Sequence, residues 1–203
     1  MEILMCANYE PIAKSRAQLL NLFEPTFDYK ADIFPAFNGP ILIATEHGIE
    51  WRSARFGLVP NWADDIKKVR NTYNARSETV SSKPSFRHAW SKNQFCLIPV
   101  ETIFEPKYID GKSHWYGIYR QDEMPFTVAG IYEHATVNGE HIISMSMLTI
   151  NEDNERLQSF NGFNQCCMSC ITFIILSYSI NCPQQNIFTV ALLDPIQSRT
   201  RLH

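Results

Sequence analysis

The run His141–Ile150, HIISMSMLTI, alternates apolar and small polar side chains with a period of two. That pattern suits a strand with two unlike faces, because successive side chains of an extended chain point to opposite sides. The segments FCLIP (95–99), SHWYGIYR (113–120) and FTVAGIYEH (126–134) are also strand-like. ILIATEHGIEWRSARFGLVP (41–60) reads as short strands joined by a turn at His47-Gly48. Helical patterns are fewer. PIAKSRAQLLNLF (11–23) opens on a proline and spaces Ile12, Ala13, Ala17 and Leu20 for one amphipathic helix. PSFRHAW (84–90) predicts a short helix with Phe86 and Trp90 on one face. Many strands and few helices predict an α+β fold around a curled, mainly antiparallel sheet.

A chain of 203 residues is long enough to bury a proper core, and 45% hydrophobic with 12% aromatic residues reads as globular. The net charge of −3 gives no global argument for nucleic acid or membrane. Between Trp51 and Lys92, however, nine Lys/Arg stand against three acids. This local basic block is either a solvated face or the footprint of an anionic partner. MEILM lacks the basic start and long apolar region of a signal peptide, so the six cysteines read as reduced cytosolic thiols.

Beyond about Glu155 the character changes. From Leu157 to Ser198 there is no Lys or Arg, and Asp194 is the single acid. CCMSCITFIILSYSI (166–180) is too short and too polar at its edges to span a bilayer. Three readings stand side by side: a buried strand, a divergent natural tail, or a shifted reading frame beginning between about Asn154 and Gln165. One CxxC without a spaced second pair is not a metal signature, so no metal is assigned to Cys166, Cys167, Cys170 or Cys182.

Six motifs occur in order: MCANY (5–9), FGLVPNWA (56–63), NARSET (74–79), PSFR..W (84–90), CLIP....FEP (96–106) and AGIYE (129–133). Together they resemble the SOS response-associated peptidase (SRAP) family of abasic-site processing proteins, over roughly Met5 to Asn154. The resemblance implies the family's barrel-like fold, a domain spanning 1–154, and an aberrant segment 155–203 in place of that domain's end. It implies covalent capture of abasic sites in single-stranded DNA through an N-terminal cysteine, with no metal or nucleotide cofactor. It further implies a cytoplasmic monomer, bound to the nucleoid when on DNA, with no membrane attachment.

The chemistry explains why the cysteine must be first. A free α-amine condenses with the ring-opened aldehyde, and the neighbouring thiol closes a five-membered thiazolidine. An internal cysteine has only an amide nitrogen and cannot form the imine. The amine titrates near pH 8 and the thiol near 8.5, so both are partly nucleophilic at neutral pH. Cys6 is therefore the expected nucleophile, with translation starting at Met5 and methionine removed before a small residue.

The resemblance assigns further roles. Asn74 matches the amide that hydrogen-bonds the adduct; the residue alone would suit a turn or helix cap equally. Arg76 matches a phosphate-binding arginine, against a surface salt bridge with Glu78. Glu105 matches the active-site carboxyl that shuttles protons, although Pro106 follows it where the family commonly has tryptophan. Trp62 matches an aromatic that stacks on a base, against a core tryptophan. Pro35 aligns loosely with a loop that wedges the DNA. At the family's histidine position this chain has Asn161, which cannot exchange protons near pH 7. Two other readings remain: a cysteine peptidase that trims itself, which would need a positioned histidine base, and an inactive family member.

Overall fold

The computed structural model describes residues 7–109, 112–120, 122–150, 172–173, 175–176 and 196–200. Cys6, Asn161 and the four C-terminal cysteines lie outside these described residues. Strand β1 (Asn8–Pro11) leads through a 3-10 helix (Lys14–Leu20) to the hairpin of β2 (Asn38–Thr45) and β3 (Gly48–Phe56). A short β4 (Asn74–Arg76) and helix α1 (Arg87–Ser91) precede the long β5 (Phe95–Ile109). Strands β6 (Lys112–Arg120), β7 (Phe126–Val137) and β8 (Glu140–Ile150) complete the main run. Three further strands, β9 (Thr172–Phe173), β10 (Ile175–Leu176) and β11 (Ile196–Thr200), pair with β8, β7 and β6.

The expected curled sheet is present, and its pairings close on themselves. β2 pairs β3, β3 pairs β8, β8 pairs β7, β7 pairs β5, and β5 returns to β2 through Leu42–Leu97 and Ile43–Cys96. Most contacts are antiparallel; β8 runs parallel to both β3 and β4. Closure gives the sheet an inside and an outside, and the period of two sorts side chains between them. Ile41, Ile43, Ala54, Phe56, Cys96, Ile98, Val100, Met145 and Met147 share one core cluster. Their chain neighbours Leu42, Leu97 and Leu148 belong to a second cluster on the other face, covered by Val80, Phe86 and Ala89. Because both faces are buried there, β2 and β5 carry nearly continuous apolar runs, ILI (41–43) and CLIPV (96–100).

Gly130 on β7 shows how tightly the layers approach. A Cβ there would lie 2.9 Å from Cys96 Sγ, Ile98 Cδ1 and the Ser146 carbonyl, too close for any side chain.

Local elements depart from expectation in three places. Within the 11–23 segment Lys14–Leu20 forms a 3-10 helix, not an amphipathic α-helix, and only Ala17 of that helix is buried. The cause lies in β1: Ile12 donates its N–H to the Pro99 carbonyl, so the sheet takes the apolar residue that would have anchored the helix. The helix ends at Asn21, whose left-handed φ of 57° terminates it. The hairpin turn is Glu46-His47, closed by the Thr45–Gly48 pair and not centred on His47-Gly48. Finally, the predicted 84–90 helix is confined to Arg87–Ser91, with Phe86 as its cap and Trp90 edge-on to Phe95 at 5.3 Å.

Candidate functional site

Asn74 and Glu105 are among the polar side chains buried on the inner face of the closed sheet. Asn74 opens β4, where the parallel register sets it against Met147, a member of the inner core. Ala75 faces the other way, into the outer cluster, and Arg76 returns to the inner side opposite Thr149. Asn74 is only 5% exposed. This is neither a turn nor a helix-cap asparagine.

Glu105 lies on β5, two residues beyond the inner-core Ile103, and alternation gives it the same face. It is 3% exposed, and neither carboxyl oxygen has a hydrogen-bond partner among the described residues. Burial pushes its pKa up from 4.5 to about 8, because the charged form loses its hydration there. A carboxyl so held is protonated at neutral pH and available as an acid. β1 runs beside it: Asn8 pairs with Phe104 and Tyr9 with Ile103. The start of the described chain is thus brought alongside Glu105.

Arg76 is half-buried and forms no ion pair among the described residues, so the competing reading, a surface salt bridge with Glu78, is not what the structure has. Its carbonyl instead accepts from Thr79 and Val80 in the turn that follows β4. Trp62 is 63% exposed and therefore not a core residue. Its indole Nε1 donates to the Pro84 carbonyl at 3.2 Å, which fixes the ring against the 84–90 segment. The backbone beneath is held by Val59, whose N–H donates to buried Ser144 Oγ at 2.8 Å.

Pro35 occupies the second position of a tight turn in which the Phe37 N–H donates to the Phe34 carbonyl at 3.0 Å. Ala36 follows with φ 75°, the conformation a type II turn demands at its third position. Phe34 is exposed on this turn, and Lys30 Nζ sits 3.6 Å above the Phe37 ring. An open pocket of about 540 Å³ lies behind it, lined by Asp28, Tyr29, Lys30, Ala36, Phe37 and Asn38.

Sequence reasoning passed over two features. Glu133 is 1% exposed and surrounded by N–H groups: His88 Nδ1 at 2.6 Å, Gln94 Nε2 at 2.9 Å and the His134 backbone at 3.0 Å. It ties α1 to β7 and is structural. The second is Glu101, which marks an irregularity in β5. It leaves no signal in the apolar pattern; in the structure the inner positions shift from even numbers, Ile98 and Val100, to the odd Ile103. No group of three or more His, Cys, Asp or Glu that could hold a metal occurs among the described residues. No helix among them is long and apolar enough to cross a membrane.

These features define a class: a single closed, mainly antiparallel sheet whose first strand runs beside a buried, protonated carboxyl and whose inner face also carries a buried amide. The chain belongs to the SOS response associated peptidase (SRAP) family, whose model matches residues 5–160. It is 30% identical over 146 residues to the abasic site processing protein YoaM of Bacillus subtilis, covering 70% of this chain and 63% of that one. Over 109 residues it is 34% identical to the abasic site processing protein YoqW of the same organism, covering 53% and 48%. The chain thus spans less than two thirds of the length of these relatives. A crystal structure of a protein from Bordetella bronchiseptica superposes with a TM-score of 0.72 at 29% identity, covering 85% of this chain and 84% of that one.

Proposed function

We propose that the protein captures abasic sites in single-stranded DNA as a covalent cross-link formed by Cys6 at an exposed N-terminus. The observation that carries this reading is Glu105. Its buried carboxyl has no hydrogen-bond partner among the described residues, and it lies beside the strand that follows Cys6.

The Cys6 amine attacks the C1′ aldehyde to give a carbinolamine. Protonated Glu105 gives its proton to the carbinolamine hydroxyl, which leaves as water, and the nitrogen lone pair forms the protonated imine (iminium) beside the Glu105 carboxylate. The Cys6 thiol then adds to the imine carbon, its sulfur–carbon bond closing the thiazolidine while the thiol proton returns to Glu105 through the ring nitrogen. One water is lost overall, and Glu105 ends as it began. Asn74 holds the adduct with an amide that donates and accepts without titrating. Arg76, which makes no ion pair among the described residues, takes a phosphate oxygen, and exposed Trp62 offers a stacking surface that any base can use. Pro35 stiffens the Phe34–Phe37 turn as a wedge at the edge of the DNA path.

The working unit in this reading is a monomer whose catalytic domain spans 1–154, with 155–203 standing in place of the usual end of that domain. Its partner is DNA, and it requires no metal or nucleotide.

The test is incubation of protein beginning at Cys6 with a single-stranded oligonucleotide bearing one abasic site, followed by denaturing electrophoresis. A denaturant-resistant adduct is expected. It should vanish in Cys6→Ala and in protein retaining residues 1–5, and form about 10²–10⁴-fold more slowly in Glu105→Gln. No adduct from folded protein with a free Cys6 overturns the reading.

A further inference from the structure

The face on which Glu105 stands is decided four residues earlier. Along the β1–β5 ladder Glu10 pairs with Thr102, yet the next residue, Pro11, pairs with Val100. Glu101 is left over as a β-bulge. One extra residue in a strand exchanges the two faces of everything beyond it. Before the bulge the even positions Ile98 and Val100 enter the inner core and Leu97 the outer one; after it, Ile103 is inside. Without the bulge Glu105 would follow Leu97 outward.

The apolar pattern does not fix this choice. Ile103 and Phe104 are both buried, so a ladder slipped by one residue would still bury an apolar side chain on each face. Something else must hold the register. The Glu101 carboxylate Oε1 accepts from Arg16 Nε at 2.9 Å and from the Ala13 N–H at 3.3 Å. Arg16 reaches on to donate through Nη2 to the Glu123 carbonyl. The pair is partly shielded, with side-chain exposures of 38% for Arg16 and 16% for Glu101. The bulge is thereby tied to the 3-10 helix on one side and to the segment between β6 and β7 on the other.

We propose that Glu101 and Arg16 are positioning residues: their ion pair locks the β5 bulge that turns Glu105 into the closed sheet. The inference rests on the reading of Glu105 as the proton-transfer group only for its functional consequence, because its structural content is read directly from Glu105 itself.

The experiment is a carbon-13 NMR titration of glutamate carboxyls in the full chain, with Glu105→Gln identifying the Glu105 signal and thermal unfolding run on every variant. In the parent protein Glu105 should titrate near pH 8, the position its burial sets. In Arg16→Ala and Glu101→Ala that midpoint should fall by about one pH unit or more as the carboxyl gains access to water. Arg16→Lys, which keeps a cation without the fork, should retain most of the original value. Unchanged midpoints in the folded alanine variants overturn the inference. Should those variants not fold, Glu101→Gln decides: a lowered midpoint supports the lock and an unchanged one overturns it. Adduct formation measured on the same samples separates the two readings. A parent protein that forms no adduct sinks capture and leaves the titration to judge the bulge, whereas adduct formation with invariant midpoints does the reverse.

Discussion

Ala36 carries a conformation that alanine does not favour. Its φ of 75° is required by the turn at Pro35, and its N–H is committed to the Phe56 carbonyl at 2.7 Å, so the backbone cannot relax elsewhere. Glycine reaches this region without a Cβ penalty. Ala36→Gly should therefore stabilise the protein by about 0.5–1 kcal/mol, after allowing for the greater freedom of glycine in the unfolded chain. Urea denaturation measures this directly, and a loss of stability would show that the Ala36 methyl makes packing contacts worth more than the strain. The same turn exposes Phe34 and leaves Pro35 half-buried, so a strained residue stands at the point where the proposed wedge meets DNA. Trp62 makes a similar point about single residues. An indole beside a proline reads as core or as surface with equal ease, and only its 63% exposure separates them.

Between elements, the junction of α1 and β7 depends on one buried carboxylate. Glu133 accepts from His88, Gln94 and the His134 backbone, which together satisfy both of its oxygens. Removing one donor leaves a buried acceptor short of a partner, and His88→Ala should cost about 1–3 kcal/mol in denaturant unfolding. A change below about 0.5 kcal/mol would mean that water replaces the imidazole at no expense. Contacts of this kind were not legible in the sequence, because His88 and Glu133 are 45 residues apart and meet only after the sheet closes. The strands themselves were legible. HIISMSMLTI keeps Met145 and Met147 on one face and Ser144 and Ser146 on the other, and the structure uses that alternation directly. The β5 bulge was hidden for the opposite reason: Leu97, Ile98, Val100, Ile103 and Phe104 are all apolar, so a change of face leaves no break in the pattern. Asn74 and Glu105 could be picked out through the family motifs, whereas their shared burial on the inner face follows only from registers set by β8 and the bulge. The 3-10 helix escaped because Ile12 was claimed by the sheet.

For the whole molecule, the buried Glu105 carboxyl makes stability depend on pH in a defined direction. Its folded pKa of about 8 lies above the ordinary 4.5, so the folded state holds a proton that the unfolded chain releases. Stability must fall as pH rises from about 4.5 to 8, then level off once the proton is lost in both states. His134 acts with the opposite sign. Burial and nearby His141 lower its pKa, so its part of the stability grows as pH rises through its titration. Comparing the parent protein with Glu105→Gln cancels the histidines and leaves the carboxyl alone. The glutamine is buried and polar at every pH, so any fixed cost it carries shifts the whole curve without changing its slope. Relative to the parent, Glu105→Gln should gain about 2–5 kcal/mol between pH 4.5 and pH 9, with nearly all of the gain complete by pH 8. Unfolding by urea across that range reads the difference. Parallel curves would mean that Glu105 is hydrated or paired in solution, which removes the protonated acid on which the proposed chemistry depends. Diverging curves would show that the closed sheet bears the cost of a charge it cannot solvate, as expected where a buried group is kept for reaction and not for stability.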